Sequence, residues 1–461
     1  MLTLSNKVTI NKTDRYYPAI LAWCEANLVL KNPDYEKKER MGLWLGKTPR
    51  YITMYGMSGD KLIMPYGARR HVSGHYSPGE IYEDFAKNEP VEIGGGVNLY
   101  DYQETALKAM LGATNGILVS PAGSGKTQIA IALIKQLGLK TLWLTNKADL
   151  LGQSRDRFKT YCQCNIGTIT GGKVNIGDVT FATVQTMCKM DLPAYAYEWD
   201  LIIVDECHGI SSATQIAMFL KVLNNLKAPR KYGLTAVLHR ADGLEKGVIA
   251  MLGDVVCEIP RSAVSEKTVN PVIRRVDLDT PKSFSYLGTD GTLNFTKLVN
   301  YLACDVARTA QIVAQIADNA DCGQLVLSDR LDHLKLILHG LAECGLGDIA
   351  VMIDGSMTSK AGKLAREQAI EDMRTGKKKI LLASFSLAKE GLDIPVLSRL
   401  HITTPVKDMS VVIQAVGRVS RVYDGKPDPV VYDYIDENIG YCLGAIKKRT
   451  GHYRKIQCRF E

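Results

Sequence analysis

SPAGSGKT, at residues 120–127, sits between a short apolar run, residues 116–120 (GILVS), and a helical pattern. Gly123 and Gly125 let the backbone turn tightly, so that amide N–H groups around Ser124 can face phosphate oxygens. The helix that follows adds its positive N-terminal end. Lys126 can reach the β and γ phosphates of ATP, and Thr127 can place a hydroxyl on Mg²⁺. One residue departs from the strict pattern: Ser120 stands where a first glycine is usual. A glycine-rich turn with a chance Lys-Thr pair is the bland alternative, and the strand-turn-helix setting weighs against it.

About 80 residues further on, LIIVDECH at 201–208 ends an apolar strand in two acids. Carboxylates at the C-terminal edge of a parallel strand lie where such sheets bind ligands. Asp205 suits Mg²⁺, a hard cation that prefers oxygen. Glu206 is placed to orient or deprotonate an attacking water. The alternative for this pair is a solvated strand end, and for His208 a core histidine.

In the second half, QAVGRVSR at 414–421 places Arg418 and Arg421 three apart, which on a helix is one face. Two guanidinium groups aimed at one point suit a triphosphate, and would neutralise charge developing on its γ-phosphoryl group. An isolated pair of this kind is more often a solvated basic face.

Between these motifs short β-branched runs alternate with helical stretches. Residues 116–120, 141–145, 179–184, 201–204 and 232–236 read as buried parallel strands. After a pause over 258–285, with Pro260, Pro271 and Pro281, the rhythm resumes at 324–327, 349–353, 379–383, 400–403 and 430–434. The expected fold is α/β: two parallel-sheet domains in tandem, at 96–262 and 263–461, the second ending in a basic C-terminal tail. Residues 1–95 read as a small α+β accessory domain. It holds an amphipathic helix over 18–30 and a hairpin turn at Met57–Asp60, and Gly94, Gly95 and Gly96 form a flexible joint before the first parallel-sheet domain. In the tail, Lys447, Lys448, Arg449, Arg454, Lys455 and Arg459 are opposed only by Glu461, with Tyr453 and Phe460 among them. This suggests a nucleic-acid contact with a stacking aromatic, against a solvated tail. Arg69, Arg70 and His71 are a second candidate contact.

The chain has 461 residues, 46% of them apolar and 23% charged, with a net charge of +8 that mildly favours a polyanionic partner. Its eleven cysteines lack paired Cys-x-x-Cys spacing, so no zinc is expected and reduced thiols are. No apolar run approaches the ~20 residues of a membrane span. Asp14, Arg15 and Glu25 break any signal-peptide layout, so a cytoplasmic location is expected.

Taken together, residues 98–435 resemble superfamily 2 helicases, and the resemblance implies that the two tandem parallel-sheet domains are RecA-like. The resemblance implies roles for further residues. Tyr102 and Gln103 match an adenine-reading element, and Gln414, Gly391 and Asp393 lie near the ATP cleft. Thr145, Asn146 and residues 150–153, then Thr183 to Thr186 with Gln185, match nucleic-acid-tracking motifs, as do Ser328 to Arg330 and Ser384. His208 and Thr235 would couple the two sites. Thr235 belongs to GLTA at 233–236, after which Val237 stands where threonine is usual. GLTA followed by Arg240 and Asp242-Gly243 is similar to the RecG, XPB and UvsW-like branch. The implied protein is a phage-encoded, monomeric DNA helicase that uses ATP and Mg²⁺ to remodel forked or branched DNA in recombination and repair. An RNA helicase, a restriction-complex motor subunit and a non-enzymatic ATP switch are the rivals.

Overall fold

The computed structural model describes residues 1–461 except 122, 211, 239–242, 265–268, 289–290, 358, 390–391, 393 and 408, and except the side chains of 149, 360, 388, 389, 409 and 410. The chain divides into two units, Met1–Pro260 and Arg261–Glu461.

The first unit is built on an eight-stranded sheet. Its order is Lys173–Asn175, Ile166–Thr170, Val179–Thr183, Thr141–Thr145, Leu201–Val204, Arg230–Thr235, Asn115–Val119 and Val255–Glu258. All neighbours are parallel except Lys173–Asn175, which turns back on Ile166–Thr170. The central strands are buried along their whole length because both faces are covered, as parallel sheets require. Helices Lys126–Leu137, Ala148–Tyr161 and Ala213–Leu223 supply that cover. The sheet contains strands that lie outside the sequence expectation: Ile166–Thr170, Lys173–Asn175 and Val255–Glu258.

Residues 1–95 carry a five-stranded sheet, ordered Gly56–Ser58, Lys61–Pro65, Lys7–Asn11, Leu2–Leu4 and Ile81–Glu83. The expected helix is present as Tyr17–Asn27, with Pro18 in its first turn. The expected hairpin closes through Gly59 and Asp60, with Ser58 opposite Lys61. One apolar cluster runs from Leu2 and Ile10 in this sheet through to Val248 and Leu252 beneath the large one. Tyr66 donates to the Pro229 carbonyl at 2.7 Å, and Lys231, wholly buried, lies 4.3 Å from the Tyr66 ring centre.

The glycines at 94–96 are therefore not a flexible joint. Gly94–Gly95 pairs antiparallel with Cys162–Gln163, and the Gly96 amide donates to the Tyr161 carbonyl at 2.7 Å. A Cβ on Gly95 would lie 2.3 Å from that same carbonyl oxygen. Glycine is needed for this close approach rather than for freedom.

The second unit holds a seven-stranded, all-parallel sheet. Its order is Ala350–Ile353, Ile380–Ser384, Gly323–Ser328, Leu397–Ile402, Val430–Asp436, Val272–Leu278 and Arg459–Phe460. Val272–Leu278 lies inside the stretch read as a linker. It carries three charges, Arg274, Arg275 and Asp277, but it pairs with Val430–Asp436 over its full length.

The expected basic tail is a packed element. Helix Gly440–Lys455 lies on the sheet, and Arg459–Phe460 adds to its edge. Arg449 is buried in a bidentate pair with Asp433, at 2.9 and 2.7 Å, and Tyr453 donates to Asp433 at 2.8 Å. Neither side chain is available for nucleic acid. Residues four apart share a helix face, and this face is the inward one. On the opposite face of the same strand, Arg308 donates to Asp436 at 2.7 Å and to the Thr403 carbonyl at 2.7 Å.

Candidate active site

The phosphate loop joins strand Asn115–Val119 to helix Lys126–Leu137. Gly123 and Gly125 take left-handed φ values of 86° and 81°. A Cβ on Gly125 would come within 2.3 Å of Gln103 Nε2, so no larger residue fits. Gln103 is 3% exposed. Its amide nitrogen donates to the Ser124 carbonyl at 2.8 Å, and its oxygen accepts from the Tyr100 amide at 2.9 Å. Tyr102 donates to the same Ser124 carbonyl at 3.1 Å. The glutamine element thus holds the loop from below and has no exposed amide to offer a base.

The Ser120 departure has a use in this geometry. The Ser120 hydroxyl is buried against the Ser124 hydroxyl, which also donates to the Pro121 carbonyl at 2.6 Å. The Ser120 amide donates to the Thr235 carbonyl at 2.9 Å. Serine replaces glycine's freedom with a side-chain tie across the loop, and the loop is anchored to the end of strand Arg230–Thr235.

Strand Leu201–Val204 delivers the acids to this loop. Glu206 takes a left-handed φ of 50°, which turns its carboxylate toward the loop. Lys126 Nζ lies 3.1 Å from Glu206 Oε1, and His208 Nδ1 lies 3.1 Å from Glu206 Oε2. His208 Nδ1 is also 3.1 Å from the Thr235 hydroxyl, which donates to the Val237 carbonyl at 2.8 Å. A continuous polar chain therefore runs from Lys126 through Glu206 and His208 to Thr235. Val237 joins it through its main chain, so the missing threonine hydroxyl removes nothing from this link.

Burial opposes the charge on Glu206, but Lys126 and then His208 hold its carboxyl below the ordinary range. Asp205 goes the other way: burial, then the adjacent Glu206 charge, push it up to about 6. Its carboxylate accepts from Ser154 at 2.9 Å. Ser154 was not among the expected site residues; its only signal in the sequence is that it directly follows the tracking motif at 150–153. Asp205 and the Thr127 hydroxyl are the oxygen donors that suit Mg²⁺. Among the described residues no cluster of three or more His, Cys, Asp or Glu could hold a metal alone. A magnesium held by one carboxylate, one hydroxyl and substrate phosphates fits this sparse donor set.

The expected nucleic-acid residues lie at strand ends, but their side chains are mostly engaged. Thr145 is wholly buried and donates to the Lys147 carbonyl at 3.0 Å. Thr183 caps helix Val184–Met187 and meets the Thr186 hydroxyl at 2.9 Å. Gln185 donates to the Asn146 carbonyl at 2.8 Å, and Asn146 reaches the Gly209 carbonyl at 3.4 Å. These bonds tie both tracking motifs to the turn that carries His208. Arg69 is engaged with Glu83 at 2.8 Å, and Arg70 and His71 face Asp254 at 3.5 and 3.7 Å.

In the second unit Ser328 is buried against His333 at 3.1 Å, and Ser384 meets Ser386 at 2.8 Å. Gln414 is buried in helix Met409–Val419. Arg418 donates to the Leu392 carbonyl at 3.2 Å. Gly391, Asp393, Arg240 and Asp242 lie outside the described residues. The helix stops at Val419, so Arg421 does not share a helical face with Arg418. The cause is local: Lys426 Nζ donates to the Val419 and Arg421 carbonyls, both at 2.7 Å, and the Val269 amide takes the Ser420 carbonyl at 2.7 Å. These bonds replace continued helix.

Residues 96–240 match the family model described as type III restriction enzyme, res subunit, and residues 312–423 match the helicase conserved C-terminal domain. A protein of Acanthamoeba polyphaga mimivirus that carries the name ATP-dependent RNA helicase is 26% identical over 361 residues, 76% of this chain and 65% of that one. The DNA 3'-5' translocase XPB2 of Sulfurisphaera tokodaii is 24% identical over 355 residues, 71% of this chain and 80% of that one. A helicase by name from Escherichia phage T5 is 27% identical over 339 residues, 73% and 71% of the two chains. The fold is shared with S. cerevisiae Dbp5 bound to RNA and ADP BeF3, at TM-score 0.56 and 15% identity over 79% of this chain and 90% of that one. It is shared equally with the ATP-dependent Type ISP restriction-modification enzyme LlaBIII bound to DNA, at TM-score 0.56 and 17% identity over 78% of this chain and 30% of that one. Both sheets are thus RecA-like, in tandem, with the N-terminal module added to the first. The chain belongs to the superfamily 2 helicases, enzymes that hydrolyse ATP on nucleic acid.

Proposed function

We propose that the chain is an ATP-driven DNA motor that remodels forked or branched DNA, in the service of recombination and replication-fork repair, and that it is phage-encoded. The observation that carries the ATP-coupled part is the polar chain Lys126–Glu206–His208–Thr235. It joins the loop that would hold the triphosphate to the turns that carry the tracking motifs. DNA is favoured over RNA by the Asp-Glu-Cys-His tetrad at 205–208 and by relatives whose names specify DNA. Branched DNA is favoured by the N-terminal module, whose core is continuous with that of the motor sheet. A contact made by the module would then be carried by the motor without an intervening hinge.

In this reading Lys126 and the amides after Gly123 bind the phosphates, and Gln103, Tyr102 and Ser120 keep the loop in shape. Magnesium, held by Thr127 and Asp205, would offset phosphate charge. Glu206 orients the attacking water and accepts its proton, with His208 beside the carboxylate once the phosphates have taken Lys126. Loss of the γ-phosphate changes what Lys126 and Glu206 face, and His208 passes that change to Thr235. Arg418 and Arg421 stabilise the transition state, so Arg421→Ala should still bind ATP but hydrolyse it slowly. Equal losses of both would assign Arg421 to ground-state binding. ATP-dependent migration of a labelled four-way DNA junction, beside a matched RNA junction, tests the substrate. Migration of the RNA junction alone would overturn the DNA assignment.

A further inference from the structure

The loop at residues 41–50 in the N-terminal module is not used by the nucleotide site. It leaves helix Pro33–Arg40 and returns to strand Tyr51–Thr53. It is held in place at several points. Asn32, wholly buried, donates to the Pro49 carbonyl at 2.8 Å, and its amide donates to the Arg50 carbonyl at 3.0 Å. Lys38 donates to the Thr48 hydroxyl at 2.7 Å, and the Leu43 amide donates to the Lys38 carbonyl at 2.9 Å.

This anchored loop displays a tryptophan. Trp44 is 88% exposed, the most exposed tryptophan of the chain, whereas Trp143 and Trp199 are core residues. Its ring lies on Gly46, whose φ is +51°; a Cβ there would meet the ring at 2.9 Å. The indole meets the chain beside the bare backbone of Gly46 and is otherwise open to solvent. Lys37, Arg40, Lys47 and Arg50 flank it in the chain, all exposed, and none has an ion-pair partner among the described residues; Arg50 lies over the Tyr51 ring at 5.8 Å, and Asp34, Glu36 and Glu39 share helix Pro33–Arg40 with Lys37 and Arg40. A cleft of about 540 Å³ lies beside the loop, lined by Lys37, Lys38 and Lys47, by the single carboxylate Asp34, and by Ala213 and Thr214 of helix Ala213–Leu223.

An exposed indole on an anchored loop, with cations that lack ion-pair partners before and after it in the chain, matches a nucleic-acid strand, with a base on the ring and phosphates on the amines and guanidinium groups. A base inside a duplex has both faces covered by its neighbours and cannot stack on a side chain. We propose that Trp44 takes an unpaired base at a single-strand/duplex boundary, with Lys37, Arg40, Lys47 and Arg50 on the flanking phosphates. The inference rests on the chain being a DNA motor, and gives that motor a residue that recognises the branch itself.

The test uses the full chain with forked and blunt duplex DNA, in fluorescence-anisotropy titrations over a range of salt. Trp44→Ala should weaken fork binding about 5- to 150-fold, the loss of one base stack, and leave blunt duplex binding unchanged. Trp44→Phe should restore most of the fork affinity. The paired Lys47→Ala and Arg50→Ala changes should weaken both substrates and lower the salt slope by about 2. An unchanged fork affinity in Trp44→Ala, or an equal loss on both substrates, overturns the stacking site. So does a shift of the wild-type chain to dimers by sedimentation that Trp44→Ala abolishes, because the patch would then face a second copy. In each of these cases a normal DNA-stimulated ATPase leaves the motor assignment standing. A wild-type chain that neither binds DNA nor is stimulated by it overturns both.

Discussion

Glu206→Gln should move ATP binding and ATP hydrolysis in opposite directions. Lys126 and Glu206 stand 3.1 Å apart, with side chains 12% and 26% exposed. A nucleotide phosphate that takes Lys126 must draw it from this carboxylate. A charge-assisted hydrogen bond is worth about 1.5–3 kcal/mol when sheltered. The partial exposure of Glu206 lowers that toward about 1 kcal/mol. Glutamine keeps the length and the strained backbone at 206 but drops the charge. A non-hydrolysable ATP analogue should then bind about fivefold tighter, since about 1.4 kcal/mol is a tenfold change in Kd. Hydrolysis should fall about 10²- to 10⁴-fold, the usual contribution of a positioned base. Analogue titration and single-turnover hydrolysis, on the same protein and with its thermal midpoint checked, separate the two effects. Turnover within tenfold of wild type, or analogue binding weakened as much as turnover, would refute the roles given to Lys126 and Glu206.

Gln103→Ala should raise KM for ATP and for GTP by the same factor, about tenfold at most, because Gln103 acts on the Ser124 carbonyl and not on the base. A loss confined to ATP would make it an adenine reader. Arg449→Met strands the buried Asp433 carboxylate and should cost about 3–5 kcal/mol in urea unfolding, only part of it recovered when Asp433→Leu is added, because the buried Tyr453 hydroxyl then loses its acceptor. A cost below about 1 kcal/mol would mean the pair is not isolated from water. His401 is buried, and burial and then Arg399 push its pKa down to about 3. Its Nδ1 meets Tyr434 at 2.9 Å and its Nε2 meets the Gln324 carbonyl oxygen at 2.9 Å; the Gln324 amide is fixed by the Ile316 and Asn319 carbonyls, so Nε2 carries the proton. The unfolded chain protonates this histidine first, so its contribution is present above about pH 6.5 and is lost as pH falls toward about 3, at about 1.4 kcal/mol per pH unit. His401→Gln should flatten the slope of stability between pH 6.5 and 5; an unchanged slope would mean His401 titrates normally.

Much of the fold was readable because it is local. Strand Leu201–Val204 is apolar end to end and Thr141–Thr145 is apolar between its two threonines, as a sheet covered on both faces requires. The phosphate loop and the acids at 205 and 206 were readable because glycines and carboxylates at strand ends have few other uses. What could not be read depends on partners distant in sequence. Arg449 and Tyr453 look like part of a basic tail until Asp433 is placed between them. Val272–Leu278 has the charge pattern of a linker until Val430–Asp436 pairs with it. Ser120 looks like a weakened glycine until Ser124 meets it. Arg421 falls off its helix because Lys426 and Val269 take carbonyls that the next turn would have used. Spacing within a motif says which residues share a short segment, and not which partner claims their hydrogen bonds.

The central claim is that ATP hydrolysis at the Lys126–Glu206 site is driven by branched DNA. The most direct measurement is steady-state ATPase activity of the full chain with single-stranded, duplex, forked and four-way DNA and with matched RNA, using Lys126→Ala as the blank. The account predicts strong stimulation by forked and four-way DNA, less by plain duplex, little by RNA, and none in Lys126→Ala. Stimulation by RNA equal to or above that by branched DNA, or activity that survives Lys126→Ala, would contradict it.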